Sequence, residues 1–214
     1  MSEFIRARSS EQKAQRLEEI KQVAEQQFSQ HPYHEITLTT IANDLGWSRA
    51  NLYKYVTTKE EIFLSIMAEK FQAYADALSA ALPEGCGFSA EVVAEVWAGI
   101  ANAHRDYFRY GDILNSIVET NVSVEKLADF KRVYYEGVNK LTPQLVSILG
   151  IKEEHIEKFV TTIYYQGVGL CGWCQNNPLV HEALKQLQIK RPELDFKAEM
   201  RDFISMCIAW YQQK

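Results

Sequence analysis

With 214 residues, 47% of them hydrophobic, the chain is long for one compact domain and comfortable for a large domain plus a small one. A net charge of −5 argues against wholesale coating of nucleic acid, and ten glycines and five prolines are too few for an all-β protein rich in turns. Four cysteines, at 86, 171, 174 and 207, make no disulfide framework; no apolar run is long enough for a membrane span, and MSEFIRARSSEQK lacks the core of a secretory signal, so the expected compartment is the cytoplasm.

Charge is unevenly distributed. Residues 1–59 hold eight Lys/Arg and seven Asp/Glu, a balance of +1, while residues 60–214 hold fifteen and twenty-one, a balance of −6. The N-terminal quarter is electrostatically a different object from the rest. Because charges are screened over ~8 Å at physiological salt, an acidic body leaves a local cationic surface largely unaffected.

From Ser10 to Gln30, Leu17, Ile20, Ala24 and Phe28 recur at helical spacing, and HPYHEIT ends that helix. Thr37 reads as the N-cap of a short helix, LTTIANDL, which stops at Gly46, and Ser48 caps a second short helix, RANLYKYV. Thr58 and Glu61 form a T-x-x-E capping box that opens a long helix, ended by Pro83, Gly85 and Gly87. Residues 88–110 carry Trp97, Ala101, His104 and Phe108 on one stripe. Leu127, Phe130, Tyr134, Val138 and Leu141 line a helix from 124 to about 149, with a kink or fresh start at Thr142-Pro143. Residues 152–176 form another periodic stretch, halted by Asn176-Asn177-Pro178, and residues 195–212 form the last. The expected fold class is all-α, with a three-helix head over residues 1–57 and a larger helical domain over 58–214.

The stretch LTTIANDLGWSRANLYKYVTTKEEIF, residues 38–63, has the layout of a helix-turn-helix. Ile41, Ala42, Leu45 and Leu52 face inward, and Ala42 is small where the second helix crosses. Arg49, Asn51, Tyr53, Lys54 and Tyr55 face outward. Arginine reads guanine and asparagine reads adenine through paired hydrogen bonds, while hydroxyls, lysines and helix N-termini hold phosphates. Arg6, Arg8, Lys13 and Arg16 make the extreme N-terminus basic, either a solvated tail or an arm reaching an adjacent groove.

The run I-A-x-x-L-G-x-S-x-x-x-L-Y-x-Y-V-x-x-K-E-E-I-F, residues 41–63, resembles the DNA-binding domain of the TetR family of bacterial regulators, with the specific match extending over about residues 10–65. The resemblance implies phosphate contacts from Thr37, Tyr53, Tyr55 and Lys59, and groove contacts from Thr39, Arg49, Ala50, Asn51 and Lys54, with Ser48 at the N-terminus of the reading helix. Trp47 departs from the small aliphatic residue usual at its position. The implied function is that of a transcriptional regulator that represses from a near-palindromic double-stranded DNA operator and is released by a small-molecule effector. Such a short reader needs two copies with half-sites ~34 Å apart, hence a homodimer. The family's dimer forms from its last two long helices, here residues 156–175 and 196–211.

The segment GVGLCGWC, residues 167–174, invites other readings. Its glycines have GxGxxG spacing, and Cys171 and Cys174 form a CxxC pair, so the competing function is a helical thiol-redox or nucleotide-dependent protein. A dinucleotide loop would need a strand before it and a helix after it, and Pro178 arrives only six residues past Gly172. Packing is the plainer cause, with Gly167, Gly169, Cys171 and Trp173 lining or adjoining the dimer interface. A third possibility is a helical adaptor that binds protein through its N-terminal hairpin. Trp97, His104, Tyr107, Phe108, Tyr134, Tyr135 and Trp173 are candidates for an effector pocket. No Ser/His/Asp set, paired carboxylate site or complete metal cluster is evident, so neither enzyme activity nor a metal or other cofactor is expected.

Overall fold

The computed structural model describes residues 2–174 and 178–214; Asn176, Asn177 and the side chains of residues 2–10 (Arg6 and Arg8 among them), Cys174 and Pro178 lie outside the described set. Among the described residues the chain forms ten α-helices and no strand. These are α1 (Ser2–Gln30), α2 (Leu38–Asp44), α3 (Arg49–Leu52), α4 (Lys59–Ala81), α5 (Ala90–Ala103), α6 (Arg105–Ile113), α7 (Val124–Leu149), α8 (Glu153–Cys174), α9 (Pro178–Gln186) and α10 (Phe196–Tyr211). No described helix is long and apolar enough to cross a membrane.

The chain divides into two compact units, one running to Met67 with Asn115–Phe130 added, the other comprising Ala68–Leu114 and Lys131–Lys214. The divisions fall within α4 and α7, and inside a π-helical run, Leu114–Val118.

In the first unit the periodic face of α1 supplies Ile20, Ala24 and Phe28, which are buried with Ile41 and Ala42 of α2, Leu52 of α3 and Phe63 of α4. Phe28, Tyr33 and Phe63 meet edge to face, with ring centres 5.5 Å (Phe28–Phe63) and 5.1 Å (Tyr33–Phe63) apart. Gln27, the buried polar residue of this core, is satisfied from both ends. Its amide nitrogen donates to Asp44 Oδ2 at 2.6 Å and its amide oxygen accepts from Thr40 Oγ1 at 2.8 Å, which fixes α1 against α2.

The second unit is built on α5, α6, α8 and α10. The stripe expected to run unbroken over residues 88–110 is two helices. His104, at φ −110° and ψ 35°, ends α5, and α6 starts at the next residue. Conversely, α7 passes straight through Thr142-Pro143 without a fresh start, and Thr142 Oγ1 donates to the carbonyl of Val138 at 2.9 Å. In the centre Trp97 is buried and its indole N–H donates to the Tyr74 hydroxyl at 2.6 Å, while Tyr74 stacks on Tyr107 at 5.2 Å.

Two glycines set the α6–α8 crossing. A Cβ on Gly111 would stand 2.5 Å from the Tyr164 hydroxyl and from a Val168 methyl, and one on Gly167 would clash with the edge of the Phe108 ring. Steric room for α6, within the same chain, accounts for one of the three glycines of GVGLCGWC. Gly169 and Gly172 have open space around them.

Candidate nucleic-acid interface

Local capping chemistry builds the reading head. Thr37 and Thr40 form a reciprocal box, in which the Thr40 amide donates to Thr37 Oγ1 at 3.1 Å and the Thr37 amide donates to Thr40 Oγ1 at 3.0 Å. Gly46 turns the chain at φ +65°, a conformation that costs an L-residue about 1–2 kcal/mol. Ser48 Oγ accepts from the Asn51 amide at 3.2 Å and starts α3. That helix is shorter than its sequence implies: Arg49–Leu52 is α-helical, and Tyr53–Tyr55 continue as turns. Thr58 Oγ1 accepts from the Glu61 amide at 3.2 Å, but the Glu61 carboxylate reaches one residue beyond the expected box to accept from the Thr57 amide at 3.0 Å.

Among the sequence-predicted contacts, Thr37, Ser48, Arg49, Ala50, Tyr53 and Lys54 are exposed, and Thr39, Asn51, Tyr55 and Lys59 are half-buried. Arg49 lies over the Tyr53 ring, its guanidinium carbon 5.9 Å from the ring centre, and Arg49 Nη2 donates to the Tyr53 hydroxyl at 3.3 Å. Both side chains are thereby presented as one surface. Trp47 packs beside the turn, with Tyr55 at 5.7 Å on one side and the Arg16 guanidinium 5.2 Å from its ring centre. A groove of about 550 Å³ borders this cluster, lined in part by Lys13, Arg16, Glu19, Lys54 and Tyr55. Sequence reasoning placed Lys13 and Arg16 in a tail or arm. Here they flank α3, because α1 is one helix from Ser2 onward.

Lys59 differs most from expectation. Its ammonium donates to the carbonyls of Tyr33 at 2.8 Å and Ile36 at 2.7 Å and lies 4.0 Å from the centre of the Tyr33 ring. The group expected to hold a phosphate is therefore turned onto the loop between α1 and α2. Burial lowers its pKa below the ordinary lysine value, and Glu60 partly offsets this. Tyr33, which the sequence reading passed over, donates its hydroxyl to Glu60 at 2.9 Å. Burial first, and then that carboxylate, raise its pKa far above the usual phenol. An aromatic residue inside HPYHEIT was the available signal.

The candidate effector residues separate into two groups. Tyr107, Phe108 and Trp97 are buried; Tyr107 and the half-buried Tyr134 stand against Phe71, at 5.8 Å and 5.2 Å respectively, and His104 meets Tyr74 edge-on at 6.1 Å. Trp173 is at the surface beneath the Arg191 guanidinium at 3.6 Å, while Tyr135, also at the surface, meets Tyr134 edge-on at 5.3 Å at the rim of that cluster. The expected interface residues also separate. Gly167 packs on Phe108, and Cys171 is buried with its thiol on the Arg105 carbonyl at 3.6 Å. Gly169 and Trp173 are exposed.

Residues 153–174 are helical throughout, so the GxGxxG spacing has no strand before it and no turn within it. Among the described residues no three His, Cys, Asp or Glu side chains are grouped to hold a metal ion.

A capped helix-turn-helix head carried with a larger all-helical unit defines a DNA-binding regulator. The family model for bacterial regulatory proteins of the tetR family matches residues 20–66, and that for the tetracyclin repressor-like C-terminal domain matches residues 68–213. The chain belongs to the TetR family and is a DNA-binding transcriptional regulator. Its fold is similar to that of a tetR-family regulatory protein from Rhodococcus RHA1, at TM-score 0.63 and 16% identity over 91% of this chain and 96% of that one. It is similar also to the fatty acid degradation regulator FadR from Bacillus halodurans, at TM-score 0.58 and 15% identity over 90% and 94%. No curated protein matches the sequence.

Proposed function

We propose that this regulator is a cytoplasmic homodimeric repressor, without catalytic activity, that leaves a near-palindromic operator when a small molecule binds its helical domain. Residues 1–57 read DNA, and residues 58–214 bind effector and dimerise. The exposed Arg49–Tyr53 pair on the Ser48-capped α3 carries the reading. Arg49, Asn51 and Lys54, with Thr39 and Ala50, meet the major groove, while Thr37, Ser48, Tyr53, Tyr55 and the main chain at the start of α4 meet phosphates. The effector enters among Trp97, His104, Tyr107, Phe108 and Tyr134, where aromatic faces and phenol hydroxyls favour a flat, largely apolar molecule. It shifts the equilibrium only by its differential affinity for the bound and released states.

Dimerisation uses the outward stripe Tyr165, Gly169 and Trp173 of α8 with Met206 and Trp210 of α10. The large side chains of this stripe stay exposed in the single chain. A mobility shift on the DNA flanking the protein's own gene, with and without scrambled competitor, tests the reading. A retarded complex of two chains per site that resists scrambled competitor supports it. Equal competition by any sequence, or one chain per site, overturns it.

A further inference from the structure

Helix α9 and the turn after it form an amphipathic element with little burial in its own chain. None of the residues from Leu179 to Lys190 is buried, and only Leu184 is half-buried. Yet Val180, Ala183, Leu184 and Leu187 follow helical spacing, and Leu187 and Ile189 are 67% and 54% exposed. The element is also well terminated. The Ile189 amide donates to the Leu184 carbonyl at 3.0 Å and the Gln188 amide to that of Lys185 at 3.1 Å, with Gln188 held at φ +56°. This is the Schellman closure, here built on a non-glycine residue.

We infer that Pro178–Ile189 is an arm that packs its apolar stripe on a second copy of this chain. The inference rests on the dimer proposed above and extends it. A permanent homodimer buries about 1,000 Å² or more per partner, roughly two-thirds of it apolar. The outward Tyr165, Trp173, Met206 and Trp210 supply on the order of 500 Å² of side-chain surface, short of that share. Leu179, Leu187 and Ile189 contribute several hundred Å² more and bring the apolar area into the range of a stable pair. The arm is continuous with that face, since α9 follows the exposed Trp173 at the end of α8 and the chain then returns Arg191 over the same indole at 3.6 Å. Charge points to a protein partner over a lipid surface. From residue 178 to 190, Glu182, Lys185 and Lys190 nearly cancel, and the polar side lacks the basic run that anionic membranes attract.

The test compares the full chain with a Leu179→Glu/Leu187→Glu variant by sedimentation equilibrium, with circular dichroism as the folding control. Because both positions are exposed, helix content should be unchanged while the dimer dissociation constant rises at least tenfold. A photo-crosslinking residue at 187, in a mixture of isotopically light and heavy chains, should give light–heavy crosslinks. An unchanged dissociation constant with crosslinks confined to one chain overturns the arm and leaves the dimer intact. Wild-type protein that is monomeric at all concentrations overturns the dimer and the arm together. Binding to phosphatidylglycerol vesicles that the double variant abolishes, with an unchanged dimer constant, overturns the arm in favour of a lipid surface.

Discussion

The ammonium of Lys59 reaches across the first unit to the loop carrying Tyr33, donating to that residue's carbonyl at 2.8 Å while standing over its ring. The contact makes Lys59 a brace between the loop and the start of α4. Lys59→Ala should cost roughly 1–3 kcal/mol of stability, since it leaves two carbonyls without their donor. It should weaken binding to all DNA sequences without changing the salt slope. Lys54→Ala should keep stability, because its ammonium is exposed, and should weaken cognate more than scrambled DNA, as loss of a groove contact does. Urea unfolding and salt-dependent binding to cognate and scrambled DNA on both variants check the pair; a lowered slope for Lys59→Ala would return that ammonium to the phosphates.

Arg49→Ala should relax preference at one base-pair position by ~1–3 kcal/mol and leave scrambled DNA nearly unaffected. Tyr53→Phe removes the hydroxyl that accepts from Arg49 Nη2 and should produce a smaller loss at the same position. Binding-site selection with each variant reads this directly. Equal losses on cognate and scrambled DNA for Arg49→Ala would contradict a base contact.

The glycines of GVGLCGWC should respond unequally to alanine. Gly167→Ala drives a methyl into the Phe108 ring and should destabilise by about 1–3 kcal/mol. Gly172→Ala meets nothing and should be neutral or stabilise by up to ~1 kcal/mol through helix propensity. Thermal unfolding of the two variants, side by side, makes the measurement.

Alkaline pH should unfold the protein through its phenols. Burial raises the pKa of Tyr33, Tyr74 and Tyr107 above the ordinary 10.0, so the fold prefers the protonated form of each. Their contribution to stability is complete below pH 10 and declines as pH rises beyond it, because the unfolded chain releases those protons first. Tyrosinate absorbance should therefore lag for these groups and appear together with loss of helix. Full titration of all eleven tyrosines near pH 10 with helix retained would contradict their burial.

Much of the head was legible in the sequence because its signals are local. Thr37, Gly46 and Ser48 each do what residues of their type do within four positions, and the structure shows each doing it. The fate of Lys59 was not legible, since its partners lie more than twenty residues away in a loop with no periodicity. The same distance effect hid the cause of Gly167. A helical glycine announces close approach, but only the fold reveals that Phe108 makes it. The break at His104 escaped notice because apolar spacing continues across it, and α9 because a nine-residue helix with little buried surface leaves only a weak pattern.

The α-helical part of the reading element is just four residues long, far below the length at which a helix holds itself together in water. Its shape is borrowed from Ser48 at its start and from Leu52 beneath it. Recognition and folding of the head are thus one property measured two ways. A substitution at Ile41 or Leu52, neither of which can touch a base, would erase operator choice as surely as removing Arg49, and only a melting curve would tell the two kinds of loss apart.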